Sequence, residues 1–138
     1  MGIVLVALAV ASCRAGPVTK VVDGDTLDVN GQRVRILGID TPERGRCGYR
    51  EASTRLAELV GGVGGNVVVL GGGEGHDTHD RYGRELGYVQ SGNLDVGEVL
   101  LREGLAKARY DSLDGYGRHD RQDLYRRIDA QTPDPCAG

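Results

Sequence analysis

Asn30-Gly31 separates two short runs of strand-forming residues, Leu27-Asp28-Val29 and Arg33 to Ile39. Both residues of the pair tolerate positive φ, which a two-residue turn between antiparallel strands demands, so the pair predicts a tight β-hairpin. Another β-rich run, Val18 to Val22, precedes it across the turn Asp23-Gly24-Asp25. Three strands on turns this tight make a meander. Its two-residue period turns Val34 and Ile36 one way and Arg33 and Arg35 the other.

The same stretch carries an unusual charge arrangement. Asp25, Asp40 and Glu43 fall within 19 positions together with Arg35, on and between strands rather than along a polar helix face. Carboxylates gathered in this way repel one another, and a fold that keeps them close does so around a cation. An arginine beside them points to an anion shared between the cation and the guanidinium, most economically a phosphate. The segment reads as a metal-assisted phosphoryl site.

Beyond it the period changes. Ala52, Leu56, Leu59 and Val60 share one helical face, and Gly61-Gly62 ends that helix. Val67 to Leu70 predicts a fourth strand, with a glycine-rich loop from Gly71 to Gly75, and Glu85 to Gln90 a fifth. Val96, Val99 and Leu100 mark a second helix that stops near Gly104. Leu124 and Ile128, with Tyr116 at the same four-residue step, mark a third, which Pro133 prevents from continuing. Five short strands and three helices predict an α+β chain, mainly β: a small closed β-barrel with helical additions. With 138 residues and no Phe or Trp, one core must be built from Val, Leu, Ile, Ala and a few Tyr.

Val22-Asp23-Gly24-Asp25-Thr26, Arg35, Ile39-Asp40-Thr41-Pro42-Glu43, Asp80-Arg81-Tyr82-Gly83-Arg84 and Gly104-Leu105-Ala106-Lys107 occur in that order. Together they resemble the staphylococcal nuclease-like (thermonuclease) family, over roughly residues 18–130. The resemblance implies an OB-type five-stranded closed barrel with three helices, and hydrolysis of DNA and RNA with little sequence preference, using Ca²⁺ and leaving 3′-phosphate products. It implies Asp25, Asp40 and the Thr41 carbonyl as calcium ligands, with water and substrate phosphate completing the shell. Glu43 would act as general base toward the attacking water, and Arg35 and Arg84 would fork onto the phosphate. Tyr82 and Tyr110 match positions near the bound nucleotide. Asp23 matches an acidic position beside the metal and is expected to fix the turn.

Taken singly, each residue has an ordinary use, such as a turn carboxylate or a solvated arginine; the set in one register does not. The alternative, a nuclease-like barrel that binds nucleic acid without cutting, would show by loss of Asp40, Glu43 or Arg35, and all three are present. Two departures touch substrate contacts. The loop Arg44-Gly45-Arg46-Cys47-Gly48 is short and lacks a lysine-rich excursion, and Ser112 stands where a second tyrosine is expected.

A net charge of −3 argues against non-specific coating of duplex, so local charge must attract a substrate. The segment His76-Asp77-His79 lies on a glycine loop without a third ligand and reads as solvated. The Arg and Asp residues of the last helix read as a salt-bridged, solvated face. Ile3 to Ala11 is an apolar run too short to span a bilayer. It ends in Val10-Ala11-Ser12-Cys13, which resembles a bacterial lipobox with Cys13 as the acylated residue; a plain secretory signal or a first strand are the other readings. Either signal places the protein outside the cytoplasm, touching membrane only through a lipid on Cys13. Cys47 and Cys136 then remain as an even pair expected to bridge. The expected layout is a leader at 1–16, a nuclease-like domain at 17–131 and a tail at 132–138, as a monomer.

Overall fold

The meander forms from β1 (Cys13–Val21), β2 (Thr26–Val29) and β3 (Gln32–Ile36) in a computed structural model that describes residues 2–3 and 13–137. Asn30 and Gly31 adopt φ of 52° and 78° between β2 and β3, whose register sets Val29 opposite Gln32 and Thr26 opposite Arg35. β1 begins at Cys13, not at the expected Val18. Gly16-Pro17 disguise its first half, yet Cys13 to Pro17 pair along a later strand and Arg14 is held by Glu85 at 2.7 Å. Residues 13–16, assigned to the leader from sequence, therefore line the barrel. The apolar stretch 4–12 lies outside the described residues.

The expected third strand also divides. Gly38 takes φ of 80°, and a Cβ there would meet the His119 ring at 2.6 Å. The chain turns at this point into a separate β4 (Ile39–Asp40). There follow α1 (Tyr49–Val60), β5 (Asn66–Leu70), β6 (Glu85–Ser91), β7 (Leu94–Asp95), α2 (Val96–Arg102), β8 (Lys107–Ala108), a 3₁₀ turn at Ser112–Asp114 and α3 (Gln122–Gln131). Tyr116 is not part of α3. It lies between the 3₁₀ turn and the helix, because Gly115 at φ 86° and Gly117 break the four-residue step that suggested otherwise.

β1, β2, β3, β5 and β6 pair antiparallel in the order β3-β2-β1-β5-β6, and a parallel β3–β6 pairing closes the ring. The result is the mainly β, α+β architecture expected: a closed five-stranded barrel of OB type with three helices. Val18, Leu27, Val29, Val34, Ile36, Val67, Val69 and Val89 are buried and fill it with β-branched and aliphatic bulk, as a chain without Phe or Trp requires. Leu56, Val60, Leu100, Leu101 and Ile128 bring the helices onto the same core. β4 pairs only with β8, setting Asp40 opposite Lys107; this ribbon carries one carboxylate of the site away from the barrel wall.

Candidate active site

Arg35 organises the site. Thr26 and Arg35 are cross-strand partners on the face opposite Val34 and Ile36, yet Arg35 is buried there, at 9% exposure. Its Nη1 donates to the carbonyls of Ile36 at 2.7 Å and Ile39 at 2.8 Å, which the break at Gly38 brings within reach of one nitrogen. Nη2 lies 3.3 Å from Asp25 Oδ2 and 3.4 Å from Asp40 Oδ1. One end of the guanidinium is thus anchored to backbone and the other is shared between two carboxylates.

Asp25 is buried and hydrogen-bonded through both oxygens. Its Oδ1 accepts from the Thr26 hydroxyl at 3.0 Å, and Oδ2 accepts from the Thr41 N–H and hydroxyl at 3.0 and 3.1 Å. The Asp25 N–H donates to Asp23 Oδ1 at 3.1 Å, so Asp23 fixes the turn. Gly24 between them is required by space. A Cβ there would meet Ala52 Cβ of α1 at 2.7 Å and the Thr41 hydroxyl at 2.8 Å, so the turn is clamped between helix and ribbon.

Burial, with the charge of Asp25 adding to it, raises Asp23 above the ordinary carboxylate range. Asp40 is likewise raised, first by burial and then by Asp25 and Glu43, while Arg35 and Arg109 oppose the rise. Burial is the first cause of both rises and repulsion from the neighbouring carboxylate Asp25 adds to it; a divalent cation beside them would offset both. The donors are hard oxygens, suited to calcium or magnesium. Among the described residues no group of three or more His, Cys, Asp or Glu side chains converges to hold a metal. Asp25 and Asp40 therefore supply an incomplete shell, which the Thr41 carbonyl, water and a substrate oxygen would have to finish.

Glu43 is exposed and borders a cavity of about 240 Å³ together with Asp40, Thr41, Lys107 and the Cys47–Cys136 pair. Those cysteines are bonded, with Cα atoms 5.9 Å apart. The bridge holds the tail after α3 against the loop that follows Glu43, and Lys107 clips the same tail through Asp134 at 3.0 Å.

The remaining residues lie around this centre. Among the described residues Arg84 makes no ion pair with Asp25, Asp40 or Glu43. Its Nε donates to Asp80 at 2.6 Å and its N–H to the same side chain at 2.9 Å. Arg35 faces Leu86 across the parallel β3–β6 pair, and Arg84 immediately precedes β6. Tyr110 stands with its ring centroid 5.8 Å from the Arg35 guanidinium carbon. Tyr82 is 68% exposed, outside the carboxylate centre. The last helix departs from its sequence reading in part: Arg118 pairs with Asp123 in solvent, but Arg126 reaches across to Asp111 and Asp114, and Asp129 accepts from the Ala108 N–H of β8 at 2.9 Å. Arg109, absent from the sequence reading, bears on Asp40 electrostatically; β8 has two residues and no periodic signal to reveal it.

Residues 33–132 match the model of the staphylococcal nuclease homologue family. The chain belongs to this family. It is 39% identical to endonuclease YncB of Bacillus subtilis (strain 168) over 101 residues, covering 66% of this chain and 46% of the relative. Micrococcal nuclease of Shigella flexneri is 35% identical over 124 residues, 80% of this chain and 64% of that protein. Thermonuclease of Staphylococcus intermedius is 34% identical over 102 residues, 67% and 58% of the two chains. The chain thus spans about half to two thirds of the length of these nuclease-family relatives. The family match holds Arg35, Asp40, Thr41, Glu43 and Arg84 but begins after Asp25, which reaches the site through the β2–β3 register.

Proposed function

We propose that this chain is a calcium-dependent phosphodiesterase that hydrolyses DNA and RNA with little sequence preference, giving 3′-phosphate products. The carrying observation is the single Arg35 nitrogen shared by Asp25 and Asp40, with Asp40 and an exposed glutamate, Glu43, lining one cavity. Asp25, Asp40 and the Thr41 carbonyl would hold Ca²⁺. When bound, the ion supplies positive charge against the charge that develops on the phosphate during in-line displacement.

The chain's own residues do the rest. Arg35 faces Asp25 and Asp40 with Nη2, and with those carboxylates holding a cation it would turn the donors of that nitrogen to a non-bridging phosphate oxygen. Its Nη1 stays fixed on two carbonyls, so the fork does not reorganise as the reaction proceeds. Glu43, free of any ion pair among the described residues, takes the proton of the attacking water. The water oxygen bonds to phosphorus as the bond to the 5′-oxygen breaks; the departing 5′-oxygen takes a proton from solvent water, and the phosphate stays on the 3′ side. Arg84 adds a second guanidinium from the β6 side after rotating its outer nitrogens past Asp80. A barrel that only binds nucleic acid would not need an unpaired Glu43 on the cavity wall.

The reading extends to export. The Cys47–Cys136 bridge supports a mature protein outside the cytoplasm; there it would act as a monomer, and Cys13, exposed, would carry the lipid that is its one membrane contact. The deciding assay is digestion of plasmid DNA and single-stranded RNA with calcium and then with excess chelator. Cleavage of both that stops in chelator supports the reading; cleavage unaffected by chelator removes calcium from it, and no cleavage of either leaves the binding-only barrel.

A further inference from the structure

Tyr88, His119 and Tyr125 are buried and pack against one another with ring centroids 5.7 to 6.0 Å apart. In a hydrophobic core built otherwise from Val, Leu, Ile and Ala, these rings gather at one point of backbone, the Gly38 corner between β3 and β4. A Cβ at Gly38 would lie 2.6 Å from both Cε1 and Nε2 of His119 and 3.1 Å from Cδ2 of Tyr125. The imidazole edge therefore rests directly on main chain. Backbone bonds hold the same corner: the Leu37 N–H donates to the Gly87 carbonyl at 2.9 Å, and the Arg109 N–H to the Gly38 carbonyl at 3.2 Å.

That corner is the mount of Arg35. Nη1 donates to the carbonyls of Ile36 and Ile39, the residues that flank Leu37-Gly38. Two carbonyls three residues apart reach one nitrogen because the chain turns back at Gly38, with φ of 80°. Any shift of the corner moves both acceptors, and with them the Nη2 edge that faces Asp25 and Asp40.

His119 is itself held in place. Its Nδ1 shares a hydrogen bond with the Tyr88 hydroxyl at 2.6 Å, and the neighbouring Tyr125 hydroxyl donates to Asp95, the cap of α2, at 2.7 Å. Nε2 of His119 is buried without a hydrogen-bond partner among the described residues, a cost that an aliphatic side chain would avoid. Filling space does not account for a histidine here. What the histidine adds is a flat ring edge that lies against the Gly38 backbone and a nitrogen by which Tyr88 fixes its orientation.

We infer that His119 is a positioning residue for Arg35, acting through the Gly38 corner, whose flanking carbonyls aim the guanidinium. Its effect on rate rests on the nuclease reading; its effect on Arg35 does not.

The test is His119→Ala, with two readouts. In the metal-free protein, side-chain NMR of Arg35 should show resolved, slowly exchanging Nη1 hydrogens in the parent, and His119→Ala should average or lose them. In single-turnover cleavage of a labelled single-stranded oligonucleotide with calcium, His119→Ala should slow the step about 10- to 100-fold, as a small misplacement of a clamping group does, with a much smaller change in substrate affinity. Val29→Ala, a buried change at the hairpin end of β2, is assayed equally far below its own melting temperature and should leave both readouts at the parent level. Gly38→Ala should slow cleavage more in the parent than in the His119→Ala background, where the added Cβ has room; the strain of positive φ is common to both. If His119→Ala does not fold, His119→Leu, which refills space without a flat ring edge, carries the same readouts. His119 does not position Arg35 if the folded variant keeps the parent's Arg35 signals and cleaves within about twofold of it, or if Gly38→Ala costs the same factor in both backgrounds. A parent that fails to cleave removes the nuclease reading alone, and the Arg35 signals then decide the positioning by themselves.

Discussion

Arg35 and Asp25 form an ion pair at 3.3 Å in which each side chain is only about 10% exposed. A pair this deep is costly to bury, and it is strongly destabilising to break from one side. Its position inside the β2–β3 ladder means that the residue expected to clamp phosphate also holds the site together without substrate.

Replacing Arg35 should therefore have two readouts. Arg35→Ala leaves buried Asp25 and half-buried Asp40 uncompensated and should destabilise the metal-free protein by about 3 kcal/mol, measured by urea denaturation. Arg35→Lys restores a charge but cannot bond both the Ile36 and Ile39 carbonyls while presenting a planar fork. It should recover part of the stability and almost none of the rate. A near-normal rate for Arg35→Lys contradicts bidentate phosphate clamping.

His119 makes stability pH-dependent. It is buried, at 1% exposure; its Nδ1 shares a hydrogen bond with the Tyr88 hydroxyl at 2.6 Å, and that hydroxyl accepts from the Arg121 N–H. Burial, helped by the charge of His76, lowers its pKa to about 4. Between the ordinary histidine value and about 4 the unfolded chain takes up a proton that the folded protein refuses. The contribution is complete above about pH 6.5 and is lost as pH falls toward 4, reaching about 3 kcal/mol. Asp40 and Asp23, raised by burial, act with the opposite sign, so the comparison is with His119→Gln. The variant should lose clearly less melting temperature between pH 7 and 4.5; equal losses refute the assignment.

The Cys47–Cys136 bond closes a separation of 89 residues, worth up to about 4–5 kcal/mol through restriction of the unfolded chain. Reduction should lower the melting temperature and increase hydrogen exchange in the loop after Glu43. The Asp25–Arg35–Asp40 set is carried by the turn before β2, by β3 and by β4, so calcium affinity, by titration calorimetry, should fall far less than stability does. Loss of calcium binding on reduction would place the bridge inside the metal site.

Much of this arrangement was legible in the sequence, for identifiable reasons. Asn30-Gly31 announced the hairpin because only such residues meet its φ demands cheaply, and α1 showed itself through Ala52, Leu56 and Val60. The cluster of Asp25, Arg35 and Asp40 stood out because charges seldom gather on strands. What stayed hidden depends on tertiary pairing. β1 begins under Gly16-Pro17, poor strand formers rescued by the β5 ladder. The break at Gly38 is set by the His119 ring, 81 positions later. β8 is too short for any periodicity, and with it went Arg109. Tyr116 fell on a helical step by coincidence of spacing, and only the positive φ of Gly115 and the grip of Arg126 on Asp111 and Asp114 reveal its place beside Tyr110.

The central claim, that Glu43 is the base of a calcium-supported phosphodiester hydrolysis, is tested by single-turnover cleavage of a labelled single-stranded oligonucleotide with calcium, comparing the unmutated protein with Glu43→Gln. The expected result is a rate about 10²–10⁴-fold lower for Glu43→Gln at unchanged or slightly altered substrate affinity, with no cleavage by either protein in chelator. A Glu43→Gln rate within a few-fold of the parent, or parent cleavage that persists undiminished in chelator, contradicts it.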